Sequence, residues 1–232
     1  MSNQVKWLGH ATFEITSAQG LKLVIDPWYE GNPSNELKVE EAGKIDAVLI
    51  THDHFDHLAD ASALLKQTGA TLVGQPEIGN KMKAEGMPEE QLVYGTGMNI
   101  GGSVSVDGVS ITMVQACHSA NSGDPAGFII TLEDGINIYH AGDTGIFESM
   151  ELLGRIYGID LALLPIGSVF TMDPLQAVYA LNLLKPRFAI PMHFGTFPIL
   201  VQRADHFIEL AKEKAPAVEV VALEPGNTYH IN

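Results

Sequence analysis

Residues 51–57 read Thr51-His52-Asp53-His54-Phe55-Asp56-His57, directly after the apolar run Ala47-Val48-Leu49-Ile50. A short continuous apolar run bounded by polar residues marks a strand buried on both faces, here over residues 46–51. Three His and two Asp then crowd into six positions. If the chain stays extended through them, His52, His54 and Asp56 share one face, and His57 diverges where a helix begins. Neutral imidazoles suit Zn, Fe, Ni or Cu, whereas carboxylates also accept harder ions. A mixed cluster of this kind fits a two-metal hydrolytic site. The competing reading, a polar loop that caps the next helix, gives no reason for His-x-His-x-Asp-His at the end of a buried strand.

Upstream of this motif the chain reads as short strands over 5–8, 13–16 and 21–25, separated by polar or Gly-containing turns. Downstream, a helix over 58–66 ends at Gly69, a strand follows at 71–73, and a helix over 77–85 is closed by Gly86 and Pro88. Strands then occupy 103–106, 109–116, 127–132 and 136–139. Asp134-Gly135 between the last two is expected to form a type I′ hairpin turn. A helix near 147–156 precedes a buried strand at 161–165. Asp173-Pro174 opens the next helix, with Asp173 as its cap and Pro174 at its first position. A strand at 188–191, a helix over 201–214 and strands at 219–222 and 228–231 complete the pattern. Strands outnumber what one parallel sheet needs, and helices interleave in both halves. Two sheets in contact with helices on their outer faces bury all of this. No Pro/Ser/Gly linker divides the chain, so residues 1–232 read as a single domain.

Composition narrows the function. Against 13 Lys and Arg stand 28 Asp and Glu, a net charge of −15, and acidic residues outnumber basic ones in both halves. Binding to a long nucleic-acid backbone needs clustered cations, so nucleic acid is not an expected partner. One cysteine cannot form an intramolecular disulfide, which argues against a secreted, stapled scaffold. The N-terminus lacks a cationic stretch followed by an apolar core, so no signal peptide is expected. The most apolar stretch, residues 161–172, falls well short of the roughly 20 residues a spanning helix needs. A cytoplasmic protein without membrane contact is the expectation, and a homo-oligomer stays open.

The seven residues after the buried strand resemble the metal motif of the metallo-β-lactamase superfamily, and further pieces follow in that superfamily's order. His118 ends Gln115-Ala116-Cys117-His118, Asp143 lies in Tyr139-His140-Ala141-Gly142-Asp143-Thr144, and His193 ends Ile190-Pro191-Met192-His193. Trp7-Leu8-Gly9-His10-Ala11, Ile25-Asp26-Pro27-Trp28 and Gly31-Asn32-Pro33 resemble the branch of metal-dependent hydrolases related to L-ascorbate-6-phosphate lactonases. Met192 to Pro198 and Phe170-Thr171-Met172 are similar to an uncharacterised bacterial and archaeal subgroup of that branch. The resemblance spans nearly the whole chain. It implies a four-layer αββα sandwich of the α/β (α+β) class. It also implies one metal held by His52, His54 and His118, a second held by Asp56, His57 and His193, and Asp143 bridging both.

The implied cofactors are two divalent ions per chain, with zinc first among them and manganese or iron as alternatives. The implied chemistry is attack by a metal-bridging hydroxide on a lactone, ester or phosphoester of a small-molecule substrate, with Asp56 taking up a proton. Asp26 is expected to hydrogen-bond a metal-bound His and fix its tautomer, against the plainer reading of a turn-initiating Asp before Pro. His10 is read either as a substrate-contact or proton-transfer residue or as a turn histidine. Residues 170–172 are expected to line the substrate entrance or to pack as ordinary loop. His140 reads as core, His206 and His230 as solvated or structural. Cys117 reads as a buried thiol facing away from His118. A phosphodiesterase or nuclease on the same metal core is the alternative activity, disfavoured by the acidic charge. A non-catalytic metal-binding sensor is the alternative class, disfavoured by the intact ligand set.

Overall fold

The computed structural model describes residues 2–232. Its strands are β1 (Asn3–Trp7), β2 (Phe13–Thr16), β3 (Lys22–Ile25), β4 (Ala47–Leu49), β5 (Thr71–Val73), β6 (Ser103–Val106), β7 (Val109–Gln115), β8 (Ala126–Thr131), β9 (Asn137–His140), β10 (Leu161–Pro165), β11 (Phe188–Met192), β12 (Glu219–Val220) and β13 (Thr228–Ile231). The helices are α1 (Phe55–Leu58), α2 (Ala61–Thr68), α3 (Pro76–Ala84), α4 (Met150–Tyr157), α5 (Pro174–Leu184) and α6 (Asp205–Lys214). One sheet has the order β13-β1-β2-β3-β4-β5 and the other β12-β11-β10-β9-β8-β7-β6. Both are mixed: β3, β4 and β5 pair in parallel, as do β9 to β12, while the remaining neighbours are antiparallel.

The two-residue period of a strand explains the layering. On β3 and β4, Leu23, Ile25, Ala47 and Leu49 face the core between the sheets, where they meet Ile111, Met113, Phe128, Tyr139 and Leu163 of the second sheet. Val24 and Val48, one position out of phase, face the opposite way into a smaller core with Leu64 and Leu65 of α2 and Ile78 and Met82 of α3. On the far side, Ala177, Val178 and Leu181 of α5 and Phe207 and Ala211 of α6 close over the second sheet. The expected αββα sandwich is therefore present, and its buried central strands are the near-continuous apolar runs seen in the sequence.

Local differences have physical causes. The extended stretch ends at His54 (φ −70°, ψ 151°), because α1 already begins at Phe55. Asp56 and His57 therefore sit on a helical turn, not on the face shared by His52 and His54. The helix expected over 58–66 is broken at Asp60, whose carboxylate accepts from the backbone N–H groups of Tyr29 and Glu30. Helix α2 then runs to Gly69, which adopts the left-handed conformation (φ 70°) that favours glycine at a helix end. At Asp134-Gly135 only Gly135 has positive φ (90°). Gly135 N–H donates to Leu132 O, and Leu132 N–H to Ile136 O. This is a three-residue turn with a left-handed glycine rather than the two-residue type I′ form. Asp173 caps α5 as expected, accepting from Gln176 N–H at 2.8 Å. Among the described residues no helix is long and apolar enough to cross a membrane.

Candidate metal centre

Six strands deliver polar side chains to one edge of the sandwich. In the first sheet β1, β3 and β4 run in one direction, and in the second β7, β9 and β11 do. His10, Asp26, the residue 52–57 segment, His118, Asp143 and His193 all lie just beyond the carboxyl ends of these strands, the usual place for ligands in α/β sheets. Two backbone hydrogen bonds join the sheets at this edge, Ala126 N–H to Thr51 O (3.0 Å) and His193 N–H to His10 O (3.0 Å). The sheets therefore hold the cluster from both sides.

The side chains fall into two groups with a carboxylate between them. His54 Nδ1 lies 3.0 Å from His52 Nε2 and 3.3 Å from His118 Nε2. His10, Asp56, His57 and His193 form the second group, with donor atoms within 4.8 Å of one another. Asp143 reaches both: Oδ2 is 3.5 Å from His118 Nε2 and 3.1 Å from His193 Nε2, and Oδ1 is 3.4 Å from His57 Nε2. Every residue expected at the site is thus brought into one cluster.

Hydrogen bonds around the cluster set the imidazole tautomers. Thr51 donates its backbone N–H to Asp26 Oδ1 (2.8 Å) and its hydroxyl to Asp26 Oδ2 (2.7 Å). With that proton committed, Thr51 Oγ1 can only accept from His52 Nδ1 at 3.0 Å, which leaves the His52 Nε2 lone pair aimed at His54 and His118. His57 Nδ1 donates to Asp26 Oδ2 at 2.7 Å, which turns His57 Nε2 toward Asp143. Asp26, fully buried, so orients histidines in both groups.

Titration follows the same geometry. Burial, then the neighbouring His57, hold His52 down at about 2. Burial together with His193 holds His10 down at about 4, so His10 is neutral. Its single proton sits on Nε2 and is donated to Asp56 Oδ2 at 3.0 Å, while Thr196 Oγ1 faces Nδ1 at 2.7 Å. Burial opposes the charge on Asp143, yet His193 and His57 hold that carboxyl well below its ordinary range. Burial likewise opposes charge on His57, but Asp143 and Asp26 raise it well above 6.5.

The donor set fits divalent cations. His57 Nε2 and Asp143 Oδ1 are buried, have no hydrogen-bond partner and point at each other across 3.4 Å. Orphaned groups of this kind cost about 1–3 kcal/mol each, which a bound ligand offsets. A dication held here would replace the proton that otherwise has to balance Asp143. His10, Asp26 and His193 also adopt positive φ (54°, 49° and 57°), strained conformations of the kind that persist at functional sites.

Not every expectation fits the geometry equally. His10 is fully buried and does not line the open cavity, so it reaches that space through Asp56 rather than by direct substrate contact. Cys117 is exposed, contrary to the buried thiol expected, because β7 ends at Gln115 and strand alternation no longer governs position 117. Of residues 170–172, Phe170 is exposed on the cavity, whereas Met172 is fully buried in the core. His140 is a buried structural residue: Nδ1 accepts from Gly142 N–H and Nε2 donates to Ala11 O.

Sequence reasoning missed Asp53. Its side chain accepts from Asn121 N–H (2.7 Å) and from the Ser122 hydroxyl (3.0 Å), and it pairs with Lys81 at 3.5 Å. It thereby ties the segment bearing His52 and His54 to the loop that follows His118. Its position between two histidines signals only that it faces away from them; nothing local points to a loop some 70 residues on.

Fold and cluster together define a metallo-hydrolase of the β-lactamase superfamily, and the model described as "Beta-lactamase superfamily domain" matches residues 22–194. Within it the chain belongs to the UPF0173 metal-dependent hydrolases. A relative of that name from Nitratidesulfovibrio vulgaris (strain DP4) is 47% identical over 232 residues, covering 100% of this chain and 97% of that protein. Another, from Pyrobaculum islandicum, is 45% identical over 231 residues, covering 98% and 100%. Among solved structures, Igni18, a metallo hydrolase from the archaeon Ignicoccus hospitalis, superposes with a TM-score of 0.90 at 35% identity, covering 100% of this chain and 99% of that one.

Proposed function

We propose that the protein hydrolyses a small-molecule lactone, ester or phosphoester with two divalent ions, zinc first among the candidates and manganese or iron the alternatives. The observation that carries this reading is Asp143 standing between two donor groups, with an orphaned oxygen on one side and histidine nitrogens on both. His52, His54 and His118 would hold one ion, Asp56, His57 and His193 the other, and Asp143 would bridge them. Ions bound there supply Lewis acidity and an acidified water, the chemistry this hydrolysis needs.

The chain's own residues do the rest. Thr51 and Asp26 keep Nδ1–H of His52 and His57 occupied, so that Nε2 of each is the atom that would meet an ion, on His57 once the ion has displaced its proton. His10 holds Asp56 Oδ2 by a hydrogen bond, which fixes that carboxylate at the cavity wall, where it would take up a proton after attack. The cavity, about 960 Å³, opens directly over His54, Asp56, His118, Asp143 and His193. A nuclease reading gains nothing from this surface, since among the described residues Lys81 is its only Lys or Arg. The exposed thiol of Cys117 suits a reducing compartment, the cytoplasm.

The test couples elemental analysis of protein purified without added metal to a lactone, ester and phosphoester panel run with each reconstituted metal. Two ions per chain and turnover of at least one bond class are expected. Fewer than one ion in every preparation would sink the dinuclear assignment, and fully loaded protein inert on the whole panel would favour a sensor. Asp26→Asn should weaken metal binding by about ten- to a hundredfold, because an amide cannot accept from all three donors. Competition with a chromogenic chelator measures this, and an unchanged affinity would reduce Asp26 to a turn residue.

A further inference from the structure

The cavity over the cluster has a wall whose composition identifies a substrate class. Phe55, Phe170 and Ile199 are 65%, 54% and 60% exposed. Scattered apolar side chains on a surface are ordinary, but these three converge on one concave space with Leu58 and Phe197. The wall is built rather than incidental. Trp28, almost fully buried, stacks on Phe197 with ring centroids 5.8 Å apart and an interplanar angle of 20°. Phe55 meets Trp28 edge-on at 5.6 Å, and Trp28 in turn packs against His10 at 5.2 Å. The aromatic wall and the support of the metal cluster are therefore one continuous structure. Val169 is held at φ 55°, a conformation that a β-branched residue rarely adopts, immediately before the Phe170 that lines the rim.

Away from the cluster, the polar side of the cavity offers little to an anion. Among the described residues Lys81 is its only Lys or Arg, and its ammonium group already lies 3.5 Å from Asp53 Oδ2. Glu85 lines the same side one helical turn further on. Beyond the two ions proposed for the cluster, no second fixed cation lines the cavity among the described residues to hold a phosphate or sulfate group, and the chain carries a net charge of −15.

We infer that the substrates are neutral esters or lactones with an apolar body, an alkyl chain or aryl ring, which lies along Phe55, Phe170, Phe197 and Ile199 while the scissile group faces the cluster. This inference rests on the hydrolase reading above. A volume of about 960 Å³ is at the upper end of ordinary ligand pockets, so an acyl chain and its leaving group fit together. Each methylene buried against the wall should raise kcat/KM roughly two- to fourfold until the wall is covered.

The experiment compares p-nitrophenyl esters from acetate to octanoate with bis(p-nitrophenyl)phosphate and a phosphorylated sugar lactone, on metal-loaded protein. Calorimetry in parallel measures binding of N-alkylacetamides of the same chain lengths to metal-free and loaded protein. The expected result is kcat/KM and amide affinity that both climb with chain length, with Phe170→Ala and Ile199→Ala flattening both slopes. Turnover independent of chain length, or best on the phosphorylated lactone, would overturn the inference and leave the hydrolase reading standing. No turnover on any substrate would remove the hydrolase reading; the amide series then decides the wall alone, and flat or absent amide binding overturns that too.

Discussion

Asp143→Asn is expected to lose bound metal and to lower kcat/KM on any hydrolysed substrate by on the order of a thousandfold, well beyond the ten- to hundredfold typical of losing an outer partner of a ligand. The substitution keeps the shape of a side chain that is almost entirely buried, so packing is not the variable. What changes is charge. The carboxylate faces His118 and His193 with one oxygen and His57 with the other, and it is the one acidic group that reaches both donor sets. An amide offers one acceptor oxygen and one NH2 group, which only donates, so it cannot accept on both sides. Metal that binds only the folded state stabilises it by about 2.7 kcal/mol at a hundredfold excess over Kd. A zinc titration should therefore raise the Tm of the natural chain and leave that of Asp143→Asn nearly flat. His206→Ala, on the exposed face of α6, should behave like the natural chain. Equal metal content and turnover in Asp143→Asn would remove Asp143 from the centre of the site.

How much of this was legible in the sequence depends on the range of the interaction. The buried strand β4, the glycine end of α2 and the cap of α5 are written in neighbouring residues, and the structure places them where local pattern puts them. Residues 52–57 were legible as a metal motif because they follow a buried apolar run directly, whereas His118, Asp143 and His193 were reached only through the order of motifs that the family resemblance supplied. The Asp-Pro pair at Asp26 signals locally no more than a turn, and its three donors were not readable, since they come from Thr51 and His57. His10 illustrates the limit. Its turn is local, but its full burial under Trp28, Phe197 and His193 is decided by residues up to 187 positions away. Cys117 failed for the converse reason: alternation was extended past a strand that stops two residues earlier. Asp53 and the wall of Phe55 and Ile199 depend on contacts across the fold that no local signal announces.

A single added methyl group should test how rigidly the fold holds His193. Gly167 passes beneath that residue, and a Cβ at this position would sit 2.1 Å from His193 O and 2.9 Å from His193 Nδ1. Neither side can yield cheaply. Ile166 N–H is bonded to Met192 O, Gly167 O accepts from Val201 N–H, and His193 N–H is bonded across the sheets to His10 O. His193 is already held at φ 57°, so relaxing it means moving a strained residue whose Nε2 lies 3.1 Å from Asp143. Overpacking of this kind against backbone costs about 3 kcal/mol or more, roughly 6–12 °C in Tm for a chain of this size. Gly167→Ala should show that loss, together with weakened binding of the ion proposed for His57 and His193. Gly145→Ala is the matched control, because its methyl group meets nothing nearer than Cys117 O at 3.9 Å although Gly145 lies two residues from Asp143. Its Tm should stay within about 2 °C of the natural chain, consistent with a substitution that creates no clash. If Gly167→Ala matched that control in both stability and metal content, the His193 loop would be free to move, and the sheets would not be what fixes the geometry of the cluster.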